Sequence, residues 1–402
     1  MGLGVDSSRI RRLRDELLDV QYRHARTGLE EYDARASALR QAEVVFNEPS
    51  DQGLQALMTR FFNGFRDLAA QPESMAARSA AVEQAATLTA AFRRSATALT
   101  SQRADLDASL DTKVSEINST AKEIADLNAQ VRLVTVSGGT ANDLFDRRDL
   151  LLDKLSGLVG VTVQAGTNGT VDVLLGTRKL VDNITANQLA TQADAGNNNL
   201  KKIVWQSDAA DASITGGVLR GIIDARDTNL TGLLTSLNEL ASTLITAVNG
   251  HHAAGYGLNN ATGLNLFTGS TAADIDVNPA IRSNLQNLAT SAAPGEPGNP
   301  DVARAIAGVQ DELLLAGNTA TIDDTYRGVV ARLGVASQQY NLLADNQKVV
   351  TEHIDAGRQS VAGVSLDEEA AELVKSQHAY QASAKVISVI DELLDTLVNR
   401  TV

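Results

Sequence analysis

Apolar residues recur every seven positions near the end of the chain, from Leu366 to Leu394. The spacing gives a helix one continuous apolar stripe, which a lone helix cannot bury. The pattern therefore predicts a terminal helix that packs against other helices. Ser365 followed by Glu368 forms a capping box that starts this helix. The predicted assembly interface comprises Leu366, Ala370, Leu373, Gln377, Tyr380, Ala384, Ile387, Ile390, Leu394 and Leu397.

A second seven-residue repeat marks the interval 100–134. Its apolar positions are Leu110, Val114, Ile117, Ala121, Ile124 and Val131. A repeat of this length predicts a long rod-like helix in a bundle or coiled coil. Further helices are predicted at 6–47, 51–70, 74–99, 141–157, 218–250, 301–316 and 322–358.

The apolar period changes to two in the middle of the chain. Alternating runs flank Gly166-Thr167-Asn168-Gly169, and an Asn-Gly pair between such runs is a strong hairpin signal. Residues 253–300 are rich in Gly, Asn, Ala and Pro, which predicts an irregular segment and a functional surface loop.

The predicted fold is mainly α with a small β domain. It is a long-helix bundle or coiled coil built from N- and C-terminal parts, with an inserted antiparallel β domain. The predicted segments are an N-terminal bundle part (1–158), a small β domain (159–213), a bundle helix (214–252), a long irregular loop (253–300), a C-terminal bundle part (301–364) and a C-terminal assembly helix (365–402).

Composition narrows the classes of function. The 402 residues contain no cysteine, which excludes disulfides, thiolate zinc sites and cysteine nucleophiles. The net charge of −14 repels nucleic acid, and the basic run from Arg9 to Arg14 is followed at once by Asp15 and Glu16, which indicates a solvated helix face. No apolar run has the length of a membrane span, and no cleavable signal peptide is apparent. We therefore expect neither a nucleic-acid nor a membrane partner.

Two short patterns in the sequence are candidate chemical sites. Gly216-Gly217 precedes a helix as a phosphate-binding loop would, but the lysine of such a loop is missing, so glycines that open a helix are the better interpretation. His251-His252 could bind a metal ion, but adjacent side chains rarely converge on one ion, which favours a turn at a helix end.

A third pattern is Asp143, Asp146 and Asp149, which recur every three residues beside Arg147 and Arg148. Paired carboxylates could act as acid and base, yet the interleaved arginines favour ion pairs at a domain junction. The sequence thus predicts no enzyme, with no catalytic, cofactor-binding or metal-ligating residue.

Several stretches carry a resemblance that extends over nearly the whole chain. They are 363–371 with Gln377, 379–382, 384–387 and 393–397; 142–149; 216–219 through Arg226-Asp227 to 247–249; Phe61-Phe62, Pro72 and Arg78; and Ile117-Asn118 with 124–128. In these stretches the chain resembles the flagellar hook-associated protein 1 family.

The resemblance implies a structural component of the bacterial flagellum that forms the junction between hook and filament by helix-mediated self-assembly. The implied partners are further copies of the chain, the hook protein, the second hook–filament junction protein and an export chaperone that binds the C-terminal region. The implied location is extracellular, after type III export without a cleavable signal peptide.

Two departures from the family pattern shape the expectations. Gly4-Val5 stands where the family's N-terminal helical segment normally ends, so that segment is expected to be missing. The larger second β domain of some members is also expected to be missing. With half of its terminal domain missing, the chain alone is expected to be a monomer or a weak associate, which light scattering tests.

Two other classes of function stay open on the sequence alone. A coiled-coil binding or adhesion module with a ligand-binding β insert predicts a concave polar pocket near Trp205 and a C-terminal helix folded back on its own chain. An enzyme such as a wall hydrolase predicts carboxylates or histidines that converge in a cleft.

Overall fold

The computed structural model describes residues 14–362 and 366–399, with side chains described for 14–361 and 370–398. Contacts divide the chain into two compact units, one of Arg23–Thr351 and one of Met1–Tyr22 with Glu352–Val402. Both boundaries fall inside long helices. The six segments predicted from the sequence have boundaries that differ from those of the two compact units, and they remain a prediction.

Helices make up most of the described chain. The structure has one helix, α3, across 75–136, where the sequence predicted a helix ending near Leu99 and a separate heptad region. Ser74 caps α3 by accepting a hydrogen bond from the backbone N–H of Ala77, as its residue type favours. The helices are α1 Glu16–Phe46, α2 Leu54–Ala70, α3 Met75–Val136, α4 Asn142–Leu158, α5 Gly217–Asp224, α6 Leu230–Ala254, α7 Pro279–Ser283, α8 Asp301–Gly308, α9 Ile322–Ala362 and α10 Leu366–Asn399.

Six strands lie between α4 and α5. Four form an antiparallel sheet in the order β1-β2-β3-β4, and β5 and β6 form a separate hairpin. The predicted turn at Gly166–Gly169 does join β1 to β2, whereas β4 and β5 were not predicted. The bounds are β1 Thr162–Ala165, β2 Val171–Leu175, β3 Arg178–Asp182, β4 Thr185–Ala186, β5 Leu189–Asp194 and β6 Leu200–Trp205. The mainly α fold with a small antiparallel β insert is confirmed.

One hydrophobic core lies within the helical bundle. Phe61, Phe62 and Phe65 of α2 are buried there, and the Phe61 ring lies 5.6 Å from that of Phe267. Each such side chain contributes about 1.5–3 kcal/mol through loss of contact with water. The same core includes residues of α1, α3, α6, α8 and α9, so it joins the N- and C-terminal parts of the chain.

The segment predicted as a long irregular surface loop packs on that core. It contains β7 (Phe267–Thr268), β8 (Asp276–Val277) and α7. Leu266, Ile275 and Ile281 are fully buried against the bundle. We call residues 255–291 the cover segment, because they close one side of the helical core.

A second core lies under the β insert. The apolar positions of α3 from Leu110 to Val131 are buried, together with Leu152 of α4 and Val173 of β2. The seven-residue repeat of α3 therefore faces strands as well as a helix, whereas the sequence predicted helical neighbours. This seam fixes the insert to the rod-like helix.

The unit that contains both ends of the chain has its own contacts. Asp19 of α1 accepts hydrogen bonds from Arg14 at 2.7 Å and pairs with Arg358 of α9 at 2.8 Å. The Arg358 guanidinium also lies 4.3 Å from the ring centre of Tyr22. Helix α10 begins at Leu366, and the predicted cap Ser365 lies outside the described residues.

Candidate assembly surface

Helix α10 exposes the apolar stripe that the sequence predicts as an interface. Relative exposure of the large apolar members runs from 49% for Ile390 to 77% for Tyr380. Leu366 is the first residue of the helix, and its side chain lies outside the described part. The remaining members are all exposed, namely Ala370, Leu373, Gln377, Ala384, Ile387, Leu394 and Leu397. A contiguous exposed apolar patch is a mark of an interaction site.

The apolar surface of α10 widens beyond the predicted stripe toward its C-terminal end. Val386, Val389, Leu393 and Val398 are all exposed, and none was included in the predicted interface. Each directly precedes or follows a predicted residue, which gives the doublets 386–387, 389–390, 393–394 and 397–398. Adjacent residues on a helix point about 100° apart, so Val386, Val389 and Leu393 make a second apolar face on one side of the stripe, and Val398 widens the stripe on its other side. These doublets were the signal in the sequence that could have found the second face.

Acidic groups border the widened end of α10. Asp391, Glu392 and Asp395 stand in the last turns, and no basic residue stands in the final turn. A helix C-terminus carries a partial negative charge, which disfavours further negative charge nearby.

Three asparagines among the residues that carried the resemblance make the same contact. Each lies on a helix and pairs its carboxamide in both directions with the backbone of the first residue of a strand. Asn118 exchanges two 2.8 Å hydrogen bonds with Leu189 of β5. The other two pairs are Asn128 with Val171 of β2, at 2.7 and 3.2 Å, and Asn249 with Phe267 of β7, at 2.9 Å in each direction.

A cluster of charged side chains fastens the β5–β6 hairpin to α3. Arg226 is buried in a π-helical turn and donates to Asp107 at 2.6 Å and to the carbonyl of Lys201 at 2.8 Å. Hydrogen bonds from Lys201 and Thr191 hold the pKa of Asp111 below its usual range. These groups contact each other, so the cluster has the geometry of a structural clamp.

The aspartate pattern on α4 takes part in ion pairing. Asp149 is buried and pairs with Arg23 of α1 at 3.5 Å, and the same arginine donates to Asp153 at 2.8 Å. Arg148 donates to the carbonyl of Gly169 at 2.7 Å, which ties α4 to the β1–β2 turn. Asp149 is therefore part of an ion pair with α1, and the location of the pattern at a domain junction stays a prediction.

The glycine and histidine pairs are parts of helix ends. Gly217 has a φ of +76° at the start of α5, and a Cβ there would lie 2.7 Å from backbone atoms of Leu158 and Val159. His251 and His252 stand in the last turn of α6, where burial lowers the pKa of His252 to about 4. Among the described residues, no group of three His, Asp or Glu side chains could hold a metal ion.

Other sequence expectations concern partners. Of the basic run, Arg14 lies in the described part, and Arg9, Arg11 and Arg12 lie outside it. In the part of the chain that the structure describes, no helix combines the length and apolar character of a membrane span.

Trp205 is 1% exposed under the Arg178 guanidinium, so it does not form the wall of an open pocket.

Comparisons with known proteins agree on one family. Residues 39–267 match the family described as flagellar hook-associated protein FlgK helical domain, and 356–400 match flagellar basal body rod FlgEFG protein C-terminal. Flagellar hook-associated protein 1 of Bacillus subtilis is 30% identical over 99% of this chain and 86% of its own length. The Escherichia coli protein of that name is 24% identical over 99% of this chain and 90% of its own length.

A solved structure shares the fold. The flagellar hook junction protein FlgK from Burkholderia pseudomallei superposes with a TM-score of 0.74 at 17% identity, covering 86% of this chain and 100% of that one.

Proposed function

The chain belongs to the flagellar hook-associated protein 1 family, and we propose that it assembles into the hook–filament junction through the exposed apolar faces of α10. It is a structural component of the bacterial flagellum. The observation that carries the proposal is the row of half- to three-quarters-exposed Leu, Ile and Tyr side chains on a helix 34 residues long.

Physical chemistry supports a partner for this helix. Covering apolar surface contributes about 25 cal/mol for each Å² removed from water, and several large side chains lie in register on α10. The match of 356–400 to a C-terminal region of flagellar rod proteins includes this helix. We infer that helices of neighbouring copies cover α10, and that the hook protein and the second junction protein are neighbours along the axis of the flagellum.

The same helix is the proposed binding site of an export chaperone. An exposed apolar stripe is an aggregation hazard before assembly, and a chaperone that covers it would remove the hazard. We propose an extracellular location reached without a cleavable signal peptide. The absence of cysteine from the 402 residues suits a chain that must remain free of cross-links while unfolded.

A binding module with a ligand site in the β insert is less well supported. Its expected pocket near Trp205 has no counterpart at that side chain, which is buried beneath Arg178. The related proteins of Bacillus subtilis and Escherichia coli are named as flagellar proteins.

The decisive experiment replaces the chromosomal gene with a gene for each variant, and it scores filament attachment and swimming of the cells. Deletion of 365–402, and separately Leu373→Asp with Ile387→Asp, should abolish filament attachment because charge in an interface must be desolvated. The matched control is Leu133→Asp with Val136→Asp, which places charge at two exposed apolar positions of α3.

Circular dichroism and thermal unfolding of the purified variants check that each variant is folded. Both double variants should retain wild-type helix content, since the replaced side chains are exposed. Normal filaments with the deletion or the α10 double variant would refute the proposal. Loss of filaments with the α3 double variant as well would show that added charge, wherever it stands, is the cause.

A further inference from the structure

One peptide group of the cover segment is held from both ends. The buried guanidinium of Arg78 on α3 donates to the carbonyl of Leu288. The N–H of the next residue, Ala289, donates to Nε2 of His252 on α6 at 3.0 Å. Carbonyl and N–H belong to the same peptide bond, so two bundle helices hold one unit of the cover segment between them.

The hydrogen bonds of His252 require its neutral form. Its Nδ1 lies 2.6 Å from the carbonyl oxygen of Leu264, so Nδ1 carries the proton and donates it. Its Nε2 must then accept the Ala289 N–H, which a protonated imidazole cannot do. The ring is 1% exposed, so no water replaces a lost partner. His252 thereby joins two distant points of the cover segment, 264 and 289.

The charged surroundings also disfavour protonation. Arg78 is fully buried beside the ring, and it further donates to the carbonyl of Pro72 at 2.8 Å and to the Thr290 hydroxyl at 2.9 Å. Its fixed positive charge adds to burial in opposing a second cation at this place. The neighbouring His251 faces outward and lies 3.5 Å from Glu312. The cover segment meets His252 with backbone groups at 264 and 289.

We propose that the cover segment is an acid-sensitive latch, held shut by neutral His252 and released when that side chain takes up a proton. Protonation would set an Nε2–H against the Ala289 N–H, two donors facing each other, and a second positive charge beside Arg78. Release frees residues 255–291 from the bundle and exposes the apolar surface beneath them. The latch is independent of α10 and of the proposed assembly role.

The direction of the pH effect follows from proton linkage. Burial and Arg78 lower the pKa of His252 to about 4 in the closed form, whereas an exposed histidine titrates near its ordinary value of 6.5. The open form therefore binds more protons between these values, and opening grows as the pH falls through this window. At about pH 5 the opening equilibrium should be roughly thirtyfold larger than at about pH 8.

Hydrogen exchange of the whole chain, followed by mass spectrometry and corrected for intrinsic pH effects, tests the latch. Peptides from 255–291 should lose protection by the stated factor between the two pH values, while peptides from the α3 seam, 110–131, keep theirs. In His252→Gln the pH response of 255–291 should disappear. In the control His251→Gln it should stay, because that side chain is 38% exposed.

Three outcomes would overturn the proposal. They are constant protection of 255–291 across the window, an equal loss of protection throughout the molecule, and a pH response that persists in His252→Gln. Should His252→Gln fail to fold, the wild-type protein decides alone, because a loss confined to 255–291 supports the latch and any other pattern refutes it.

Discussion

Two helices of this protein carry the same seven-residue apolar repeat, and they use it in opposite ways. On α3 the repeat runs from Leu110 to Val131, and its exposed fraction is nowhere above 5%. On α10 the repeat runs to Leu397, and its large side chains are 49% exposed or more. The repeat thus specifies a helix and the apolar face of that helix that must be covered by another surface. Whether the partner is in the same chain depends on residues elsewhere.

The polar residues beside each repeat mark the difference. Asn118 and Asn128 flank the α3 seam and pair with strand backbone, so the seam has partners fixed on both sides. The polar member of the α10 stripe, Gln377, is exposed. A buried polar group must be hydrogen-bonded, whereas an exposed one can remain with water until a partner arrives.

The largest expected effect on the free energy of unfolding comes from a substitution in the buried seam of α3. Ile117→Ala should lower the free energy of unfolding by about 2–5 kcal/mol, because it leaves a cavity at a fully buried position. The matched change Ile387→Ala on α10 should alter that free energy by less than about 0.5 kcal/mol. Urea unfolding of both variants measures the contrast, and equal losses would mean that α10 is also a core helix.

A smaller effect is expected at the polar flank. Asn128→Ala leaves the backbone of Val171 and the carbonyl of Asn183 without their partner, which should cost about 1–3 kcal/mol. Gln377→Ala is the control and should change stability by less than about 0.5 kcal/mol. The same unfolding measurement applies, and a neutral Asn128→Ala would show that water replaces the carboxamide.

The smallest effect on stability tests the second face of α10. Val386→Ser with Leu393→Ser should change the free energy of unfolding by less than about 0.5 kcal/mol, since both side chains are exposed. It should nevertheless reduce filament attachment in cells, because it removes apolar area outside the predicted stripe. Full attachment with the variant would confine the interface to the stripe from Leu373 to Leu397.

The pattern of the sequence predicted the regular parts of the fold well. The bounds of α4 and the β1–β2 turn follow from local signals, a Ser-Gly-Gly break before α4 and an Asn-Gly turn. The continuity of α3 could also have been inferred, because no Gly or Pro stands between 76 and 136. Strand β5 gave little signal, since its polar residues are held by pairing with β6 and by Asn118.

The parts of the fold that the sequence pattern did not predict depend on long-range contacts. The cover segment looks irregular because its order comes from Arg78, which is distant in sequence, from His252, and from burial of Leu266 and Ile275. On α10 the stripe was predictable from spacing, and its second face was missed because doublets do not change the seven-residue period. The proposed partner of α10 lies outside the core of a single chain, so the core contacts do not identify it.

The three asparagine contacts have a consequence for how such a molecule can vary. A carboxamide presents one donor and one acceptor in the arrangement of a peptide group, so each asparagine stands in for a missing neighbouring strand. Asn118, Asn128 and Asn249 recognise main chain, and main chain is the same whatever side chains follow. These hydrogen bonds therefore do not depend on which side chains the strands carry, whereas the apolar packing of the same strands against the helices does.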